Sequence, residues 1–215
     1  MASVTQFSDF SADCITFSDL HKNKIGGKAV YLNTKNGQKL LVQLPSTRAP
    51  FGLSSFEDAK TKQVSYSVNL SLDDDHMQET FKSIDDKVLE FVAENSTEIL
   101  GQKYTIDVLR VLYTPLLRPS KGDYAPQLKL KVQVGRNGQF IPKAYDHQRN
   151  PVPLDSLEKG GMIQTIVDIN QIWIVDKKFG VSVRLEQLMK SASAKLNTCA
   201  FAAATDEFDI PVDSE

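Results

Sequence analysis

The chain contains 215 residues, of which 41% are hydrophobic and 24% are charged. This length suits one large domain or two small ones, and this hydrophobic content can bury a core, which excludes general disorder. With 25 basic and 27 acidic residues the net charge is −2. That balance excludes a uniformly basic protein but is compatible with a local basic groove.

Membrane and secretory signals are not recognisable in the sequence. No apolar run approaches the roughly 18 residues that a membrane span needs, so we expect no membrane association. The first 14 residues lack the positive region and apolar core of a secretory signal. The two cysteines, Cys14 and Cys199, lie near opposite ends, which favours reduced thiols in an intracellular, reducing compartment over a disulfide between them.

The first elements in chain order are an arm and a hairpin. Residues 1–25 are rich in Ser and Asp with weak periodicity, and we expect a loosely ordered N-terminal arm. The main domain is expected over residues 26–198. Within it, residues 28–33 and 38–44 are short apolar runs, and the Asn-Gly pair between them predicts a hairpin.

The clearest strand and the clearest helix follow directly. Residues 64–72 alternate apolar and polar side chains, which predicts a strand with one buried and one wet face. After three aspartates, apolar residues recur at helical spacing, so a helix is expected over about 75–96. Asp75 is the expected N-cap, with Gln78 as its capping-box partner.

The second half returns to strands. We expect strands at 106–113, 127–134, 163–175 and 181–185, a turn at 136–138 and a short helix at 186–196. Mostly sequential strands with one helix inserted midway predict a mainly β fold, an antiparallel barrel plus helix.

Signatures of catalysis are absent from the sequence. It has no phosphate-binding loop, nucleophile elbow, HExxH or CxxC motif, and its three histidines follow no metal-ligand spacing. The aspartates at 73–75 with His76 are better explained by helix capping than by a metal, because adjacent residues at a helix start point in different directions. We therefore expect no catalytic residue, metal or cofactor, and rank an enzyme acting on nucleic acid below the non-enzymatic alternatives.

The charge distribution is more informative. Residues 101–150 hold nine bases and three acids, interleaved with five aromatic residues. Cations that neutralise phosphates, beside rings that stack on unpaired bases, are what a single-strand binder needs. The alternative is the wet face of an ordinary sheet with the aromatics in its core. Lys129 and Lys131 lie two apart and so share a face.

Most candidate site residues lie in this stretch, and Arg184 is added because it alternates with Val181, Val183 and Leu185. The candidates for phosphate contact are Lys129, Lys131, Arg136, Lys143 and Arg184. The candidates for base stacking are Tyr113, Tyr124, Phe140 and Tyr145, with Phe51 as a loop candidate. Some of these aromatics must fill the barrel, and Trp173, in an apolar run, is expected in the core.

The last residues form an acidic tail, expected to be flexible over 199–215. Residues 205–215 contain five acids and no base. Such a tail could compete with a polyanion for a basic groove or bind partners, whereas most acidic tails are simply solvated ends. Its candidate partner-binding residues are Asp206, Glu207, Phe208, Asp209, Asp213 and Glu215.

Several short motifs carry a resemblance to a known family. They are Gln-Leu-Pro at 43–45 with Pro-Phe-Gly-Leu-Ser at 50–54, Tyr-Thr-Pro at 113–115, the stretch 124–132, and Trp173 with 178–184. In order and spacing, over about 28–189, they resemble the single-stranded-DNA-binding proteins of nucleocytoplasmic large DNA viruses, a group similar to the podophage-type protein. The resemblance implies an OB-fold-like barrel with an inserted helix and a disordered acidic tail that contacts replication proteins. It also implies action at a viral replication site in the host cell.

The sequence thus favours sequence-tolerant binding of single-stranded DNA in replication, recombination or repair, with a tail that competes with DNA and recruits partners. The alternative is a non-enzymatic virion structural or protein-interaction β-barrel. Convergence of the basic and exposed aromatic residues on one concave face would separate the two hypotheses. Monomer and homodimer are both left open.

Overall fold

The secondary structure is mainly β, as the alternating patterns predict. A computed structural model describes residues 3–22, 27–59 and 61–192. The strands are β1 (Val4–Gln6), β2 (Thr16–Phe17), β3 (His21–Lys22), β4 (Lys28–Asn33), β5 (Leu41–Gln43), β6 (Thr47–Ala49), β7 (Leu53–Glu57), β8 (Val64–Ser71), β9 (Tyr113–Thr114), β10 (Leu117–Arg118), β11 (Gln127–Val132), β12 (Lys143–Tyr145), β13 (Pro151–Val152), β14 (Gly161–Val175) and β15 (Lys178–Lys190). The helices are α1 (Asp75–Glu94), α2 (Ser96–Leu100) and α3 (Ile106–Leu112), and 3-10 turns cover Phe7–Asp9, Ala12–Cys14 and Leu154–Ser156.

Five strands close into a barrel. Around the ring, β6 pairs with β8, β8 with β11, β11 with β15, β15 with β14, and β14 with β6. When these five strands are numbered from one to five in chain order, they follow one another around the ring as one, two, three, five and four. The third and fifth strands run parallel, and the other ring pairs are antiparallel. This is the strand order of an OB-fold, so the OB-fold-like barrel with an inserted helix is confirmed.

The barrel interior follows the period-two pattern. In β8 the side chains of Val68 and Leu70 are fully buried, and their partners across the ladder, Leu130 and Leu128 of β11, are buried as well. Helix α1 lies between β8 and β11 in the chain and adds Phe81 and other apolar residues to the same core.

The cap of α1 differs from the prediction by one residue. The carboxylate of Asp74, not Asp75, accepts the backbone N–H of Met77 at 2.8 Å, because Asp74 is the last residue with extended backbone. The side chain of Gln78 donates to the carbonyl of Leu72 at 2.9 Å and does not close a capping box.

Two predicted elements have the wrong type. Residues 106–112 form α3 and not a strand, because this β-branched run packs Leu109 fully into the core beside α1. Residues 186–190 continue β15 and do not begin a helix. A bulge at Glu186, where the register with β14 shifts, reverses the alternation and hides the strand pattern.

The N-terminal arm is also better packed than expected. Its strand β1 pairs in parallel with β5, and Phe7, Phe10 and Ile15 are buried in the common core. These three apolar residues lie in or next to 3-10 turns, so their spacing in the sequence matches neither a helix nor a strand. The predicted tail at 199–215 and Cys199 lie outside the described residues.

The predicted hairpin forms only at its turn. Thr34 and Gly37 are joined by a 2.9 Å backbone hydrogen bond, with Gly37 in the left-handed region. The flanking strands then separate and each pairs with β14. None of the described helices is long and apolar enough to cross a membrane.

Candidate nucleic-acid interface

Four cationic side chains meet on the outer surface of the barrel. In β11 the outward residues are Lys129 and Lys131, since their neighbours face the core. Lys131 pairs with Arg184 across the parallel ladder to β15. Arg118 lies on β10, which forms a hairpin with β11. We call Arg118, Lys129, Lys131 and Arg184 the cation cluster.

The cations of the cluster lie close enough to repel one another. Partial burial lowers the pKa of Lys131, and Arg184, Lys129 and Arg118 lower it further. Partial burial also lowers the pKa of Lys129, with a smaller effect from Arg118. Within the described ranges, no acid lies within 4 Å of any of the four cations. A bound anion would relieve this repulsion.

The acid opposite Arg184 on β14 is turned to another partner. Asp168 is almost fully buried, and burial raises its pKa. Its Oδ2 accepts the side-chain amide of Asn170 at 2.9 Å and lies 3.9 Å from Nζ of Lys39. Arg184 also acts on Asp168 and lowers its pKa, so this carboxylate offsets part of the cluster's charge, although no ion pair within 4 Å joins the two side chains.

Trp173 lies against the cluster and not in the core. It is a half-buried residue of β14, opposite Gly180 in β15, and it lines a depression with Arg118, Lys129 and Lys131. A Cβ atom at position 180 would lie 2.9 Å from Cζ2 of Trp173 and 2.8 Å from the carbonyl oxygen of Thr114. The absence of a side chain at Gly180 therefore lets the indole lie across β15. The predicted core position for Trp173 is wrong.

A second outward pair continues the face along β15. Strand β12 joins the same edge of β15 as β11, with Lys143 opposite Gln187 and Tyr145 opposite Met189. The intervening Ala144 is buried, so Lys143 and Tyr145 face outward. The distance along β15 from Gly180 to Met189 is about 27 Å when the bulged Glu186 is not counted. The face thus has Trp173 at one end and Tyr145 at the other.

Other predicted site residues lie elsewhere. Tyr113 is only 8% exposed, its ring packs on Phe179, and its hydroxyl donates to Asp85, so it cannot stack on a base. Phe140 is half-buried and packs edge-to-face on Tyr66 with ring centroids 5.0 Å apart. Both rings complete the core, as some of the predicted aromatics had to.

Three further candidates lie on exposed turns. Arg136 is in the turn at 135–138 as predicted, and Phe51 follows β6 with 47% of its surface exposed. Tyr124 is 80% exposed in the loop that joins β10 to β11. Of these, Tyr124 is connected most directly to the cation cluster, through the hairpin that carries Arg118.

Sequence reasoning missed one cation of the cluster and two exposed rings on other strands. Arg118 belongs to the basic stretch, but only the β10–β11 register places it beside Lys129. Phe56 of β7 is 65% exposed opposite Ser65, on the same side of the sheet as Lys131. Tyr31 of β4, opposite Gln171, is 38% exposed. No local pattern marks Phe56 or Tyr31, because their exposure depends on distant strands.

The chain is a mainly β protein of the OB-fold-like barrel class, with cations and aromatic rings on its outer face. It belongs to the family of unknown function DUF5871, whose sequence pattern matches residues 57–201. It is also 21% identical over 161 residues to the uncharacterized protein L291 of Acanthamoeba polyphaga mimivirus. That alignment covers 74% of this chain and 27% of the mimivirus protein, so the chain spans about a quarter of that relative's length.

Two solved structures of single-stranded-DNA-binding proteins are similar in overall shape. One is the bacteriophage Enc34 protein in complex with single-stranded DNA, with a TM-score of 0.45 and 10% identity over 84% of this chain and 97% of that chain. The other is gp2.5 of bacteriophage T7, with a TM-score of 0.48 and 13% identity over 72% of this chain and 93% of that chain. The OB-fold-like class of this chain is defined by its own strand order.

Proposed function

We propose that this protein binds single-stranded DNA, with little sequence preference, on the outer face formed by β11, β12, β14 and β15. The observation that carries the proposal is the cation cluster, which has no ion-paired acid among the described residues. Three of its members, Arg118, Lys129 and Lys131, line the depression beside Trp173. Phosphates would neutralise the four cations, and exposed rings would stack on unpaired bases of any type. Coating of single strands during replication and recombination is the role that fits such a surface.

The dimensions of the face suit a short stretch of DNA. About 27 Å separate the positions of Trp173 and Tyr145 along β15, which corresponds to about eight nucleotides of a stacked strand and fewer of a stretched one. Site sizes of roughly 4–16 nucleotides are typical of one OB-fold. The alternating cations lie between two aromatic ends, an arrangement suited to a continuous path for one strand.

We also propose that the acidic segment 205–215 competes with DNA and recruits replication proteins. Twelve residues, 193–204, separate Ala192, near the end of β15, from position 205, and the thirteen steps between the two can span at most about 47 Å. Arg184 lies eight residues before Ala192, which is about 26 Å along a strand. The length of chain is therefore sufficient for the five acids to reach the cation cluster.

Titration of fluorescently labelled oligo-dT tests the DNA-binding proposal. Binding should be tighter for the single strand than for a duplex of the same length. With about four phosphates neutralised, the slope of log affinity against log salt should lie near −3. Equal affinity for duplex DNA, or an affinity that does not respond to salt, would reject the proposed face.

A further inference from the structure

The far end of the outer face contains a pocket of about 330 Å³ beside Tyr145. Its polar and aromatic lining comprises Gln43, Tyr145, Arg149, Gln164, Thr165 and Gln187. We infer that this pocket holds one base of the bound strand, against Tyr145 and within reach of the glutamine amides. The inference rests on the proposed function and adds a site that recognises a nucleobase and not the phosphate backbone.

The pocket lies further along β15 than the cation cluster. Tyr145 lies opposite Met189, and Lys143, two residues earlier, lies opposite Gln187. Both residue pairs lie along the edge of β15 with which β11, the strand of Lys131, also pairs. A strand whose phosphates follow Lys131 and Lys143 would therefore bring a base to Tyr145.

The composition of the pocket suits a flat heterocycle. Ile166, Leu188 and Met189 contribute apolar surface, and Tyr145 supplies a half-buried ring on one side. The volume is at the lower end of the range for small-molecule sites, which usually combine apolar walls with a few polar groups. A ring system with polar edges fits such a lining better than a simple anion does.

The amides supply polar recognition without strict specificity. Neither Gln164 nor Gln187 forms a side-chain hydrogen bond to another residue in the part of the chain that the structure describes, whereas Gln43 accepts one from Gln6 at 3.3 Å. A carboxamide presents a donor beside an acceptor. Each DNA base has a donor next to an acceptor on its Watson–Crick edge, so any base can pair with these amides.

A preorganised turn supports the cation at the rim of the pocket. Arg149 has φ = 68°, in the left-handed region, and its N–H donates to the carbonyl of Asp146 at 3.0 Å. The Asp146 side chain accepts the N–H groups of Gln148 and Asn150, both at 2.8 Å. These bonds hold the Arg149 backbone in a conformation that is unfavourable for arginine, which is typical of functional sites. The guanidinium can then contact the phosphate of the captured nucleotide.

An abasic scan tests the inference. An oligo-dT that just fills the site is prepared with a single abasic residue at each position in turn, and the affinity of each is measured. One position near an end of the oligonucleotide should lose roughly 5- to 150-fold in affinity, the range typical of one stacked base. In Tyr145→Ala and Gln164→Leu, the intact oligonucleotide should bind more weakly, while the one lacking that base should bind as it does to the wild type. Tyr145→Phe retains the stacking ring and should keep the position-specific loss that Tyr145→Ala abolishes.

The outcomes separate this inference from the proposed function. If oligo-dT does not bind at all, the proposed function fails. If it binds with the expected salt dependence but the scan is flat, or if the variants leave the scan unchanged, the base pocket is rejected and the phosphate-binding face stands. Thermal melts of Gln164→Leu and Tyr145→Phe show whether the folded state persists.

Discussion

The hydroxyl of Tyr113 donates a hydrogen bond of 2.5 Å to the carboxylate of Asp85 in the interior between α1 and β9. The same carboxylate accepts the backbone N–H of Leu116 at 3.2 Å. These bonds tie α1 to the segment that leads directly to Arg118. Asp85 thus anchors Leu116, two residues before Arg118 of the cation cluster, although it lies remote from the surface.

The Asp85 carboxyl makes stability depend on pH. Burial raises its pKa from 3.8 to about 6, against the opposing hydrogen bonds from Tyr113 and Leu116. Between these two pH values the folded state retains a proton that the unfolded state has lost, so stability should fall as the pH rises from 4 to 6. The full effect is about 2–3 kcal/mol. Urea unfolding across this range should show a clearly smaller decline for Asp85→Asn. Some decline should remain because burial also raises the pKa of Asp168. An unchanged pH profile in the variant would contradict this account.

Removing one cation should change both affinity and salt dependence. For Lys131→Ala we expect DNA binding about 3- to 10-fold weaker at low salt. The slope of log affinity against log salt should be less steep by about 0.7, as for the loss of one phosphate contact. Lys82→Ala, on the exposed side of α1, is the matched control and should bind like the wild type. Equal effects of the two substitutions would indicate that net charge alone governs binding.

Trp173 provides an intrinsic probe because it is the only tryptophan. Its emission should change on addition of oligo-dT and saturate together with binding. Trp173→Ala should weaken binding by about 1–3 kcal/mol, the usual value for one stacked base, whereas Trp173→Phe should weaken it less. Emission that stays constant while anisotropy reports binding would place the DNA away from β14.

Replacing Arg149 by glycine should change the stability of the fold and the affinity for DNA in opposite directions. Arg149→Gly should stabilise the fold by about 0.5–1 kcal/mol, because glycine accepts the left-handed conformation without steric cost. The same change removes a cation at the base pocket and should weaken DNA binding. Lys62→Gly is the matched control: Lys62 is also a cation with positive φ (57°), and its variant should leave DNA affinity unchanged. Weaker binding by both variants would mean that the loss of a surface cation weakens DNA binding wherever the cation lies.

Deletion of 205–215 should tighten DNA binding, most of all at low salt, since five acids then no longer compete for the cluster. A full-length variant with these acids changed to amides should behave like the deletion. The double variant Phe208→Ala/Ile210→Ala retains every charge and should bind DNA like the wild type. Weaker or unchanged binding after deletion would reject competition.

The sequence alone was sufficient to predict elements that have one buried and one solvent-exposed face. In β8 and β11 the alternation is unbroken, so the common face of Lys129 and Lys131 could be predicted from their spacing alone. The inserted helix was equally clear, because its apolar residues keep one period over 20 residues.

The sequence was insufficient where distant strands decide the environment. The bulge at Glu186 reverses the alternation of β15, and only pairing with β14 shows that the strand continues. Trp173 can lie on the surface because Gly180 is opposite to it, a relation fixed by strand register. Arg118 joins the cluster for the same reason. The positions of individual aromatics, buried for Tyr113 and exposed for Phe56, likewise depend on tertiary packing.

The ring order has a consequence for synthesis. Strands β14 and β15 both close the barrel, and both lie beyond residue 160. A nascent chain that ends before them has β6, β8 and β11 but leaves the outer edges of β6 and β11 unpaired. Such edges are templates for association with other chains, and long-range pairing of this kind is slow. The barrel therefore cannot close until both of these strands have been synthesised, and the edges of β6 and β11 stay open until then.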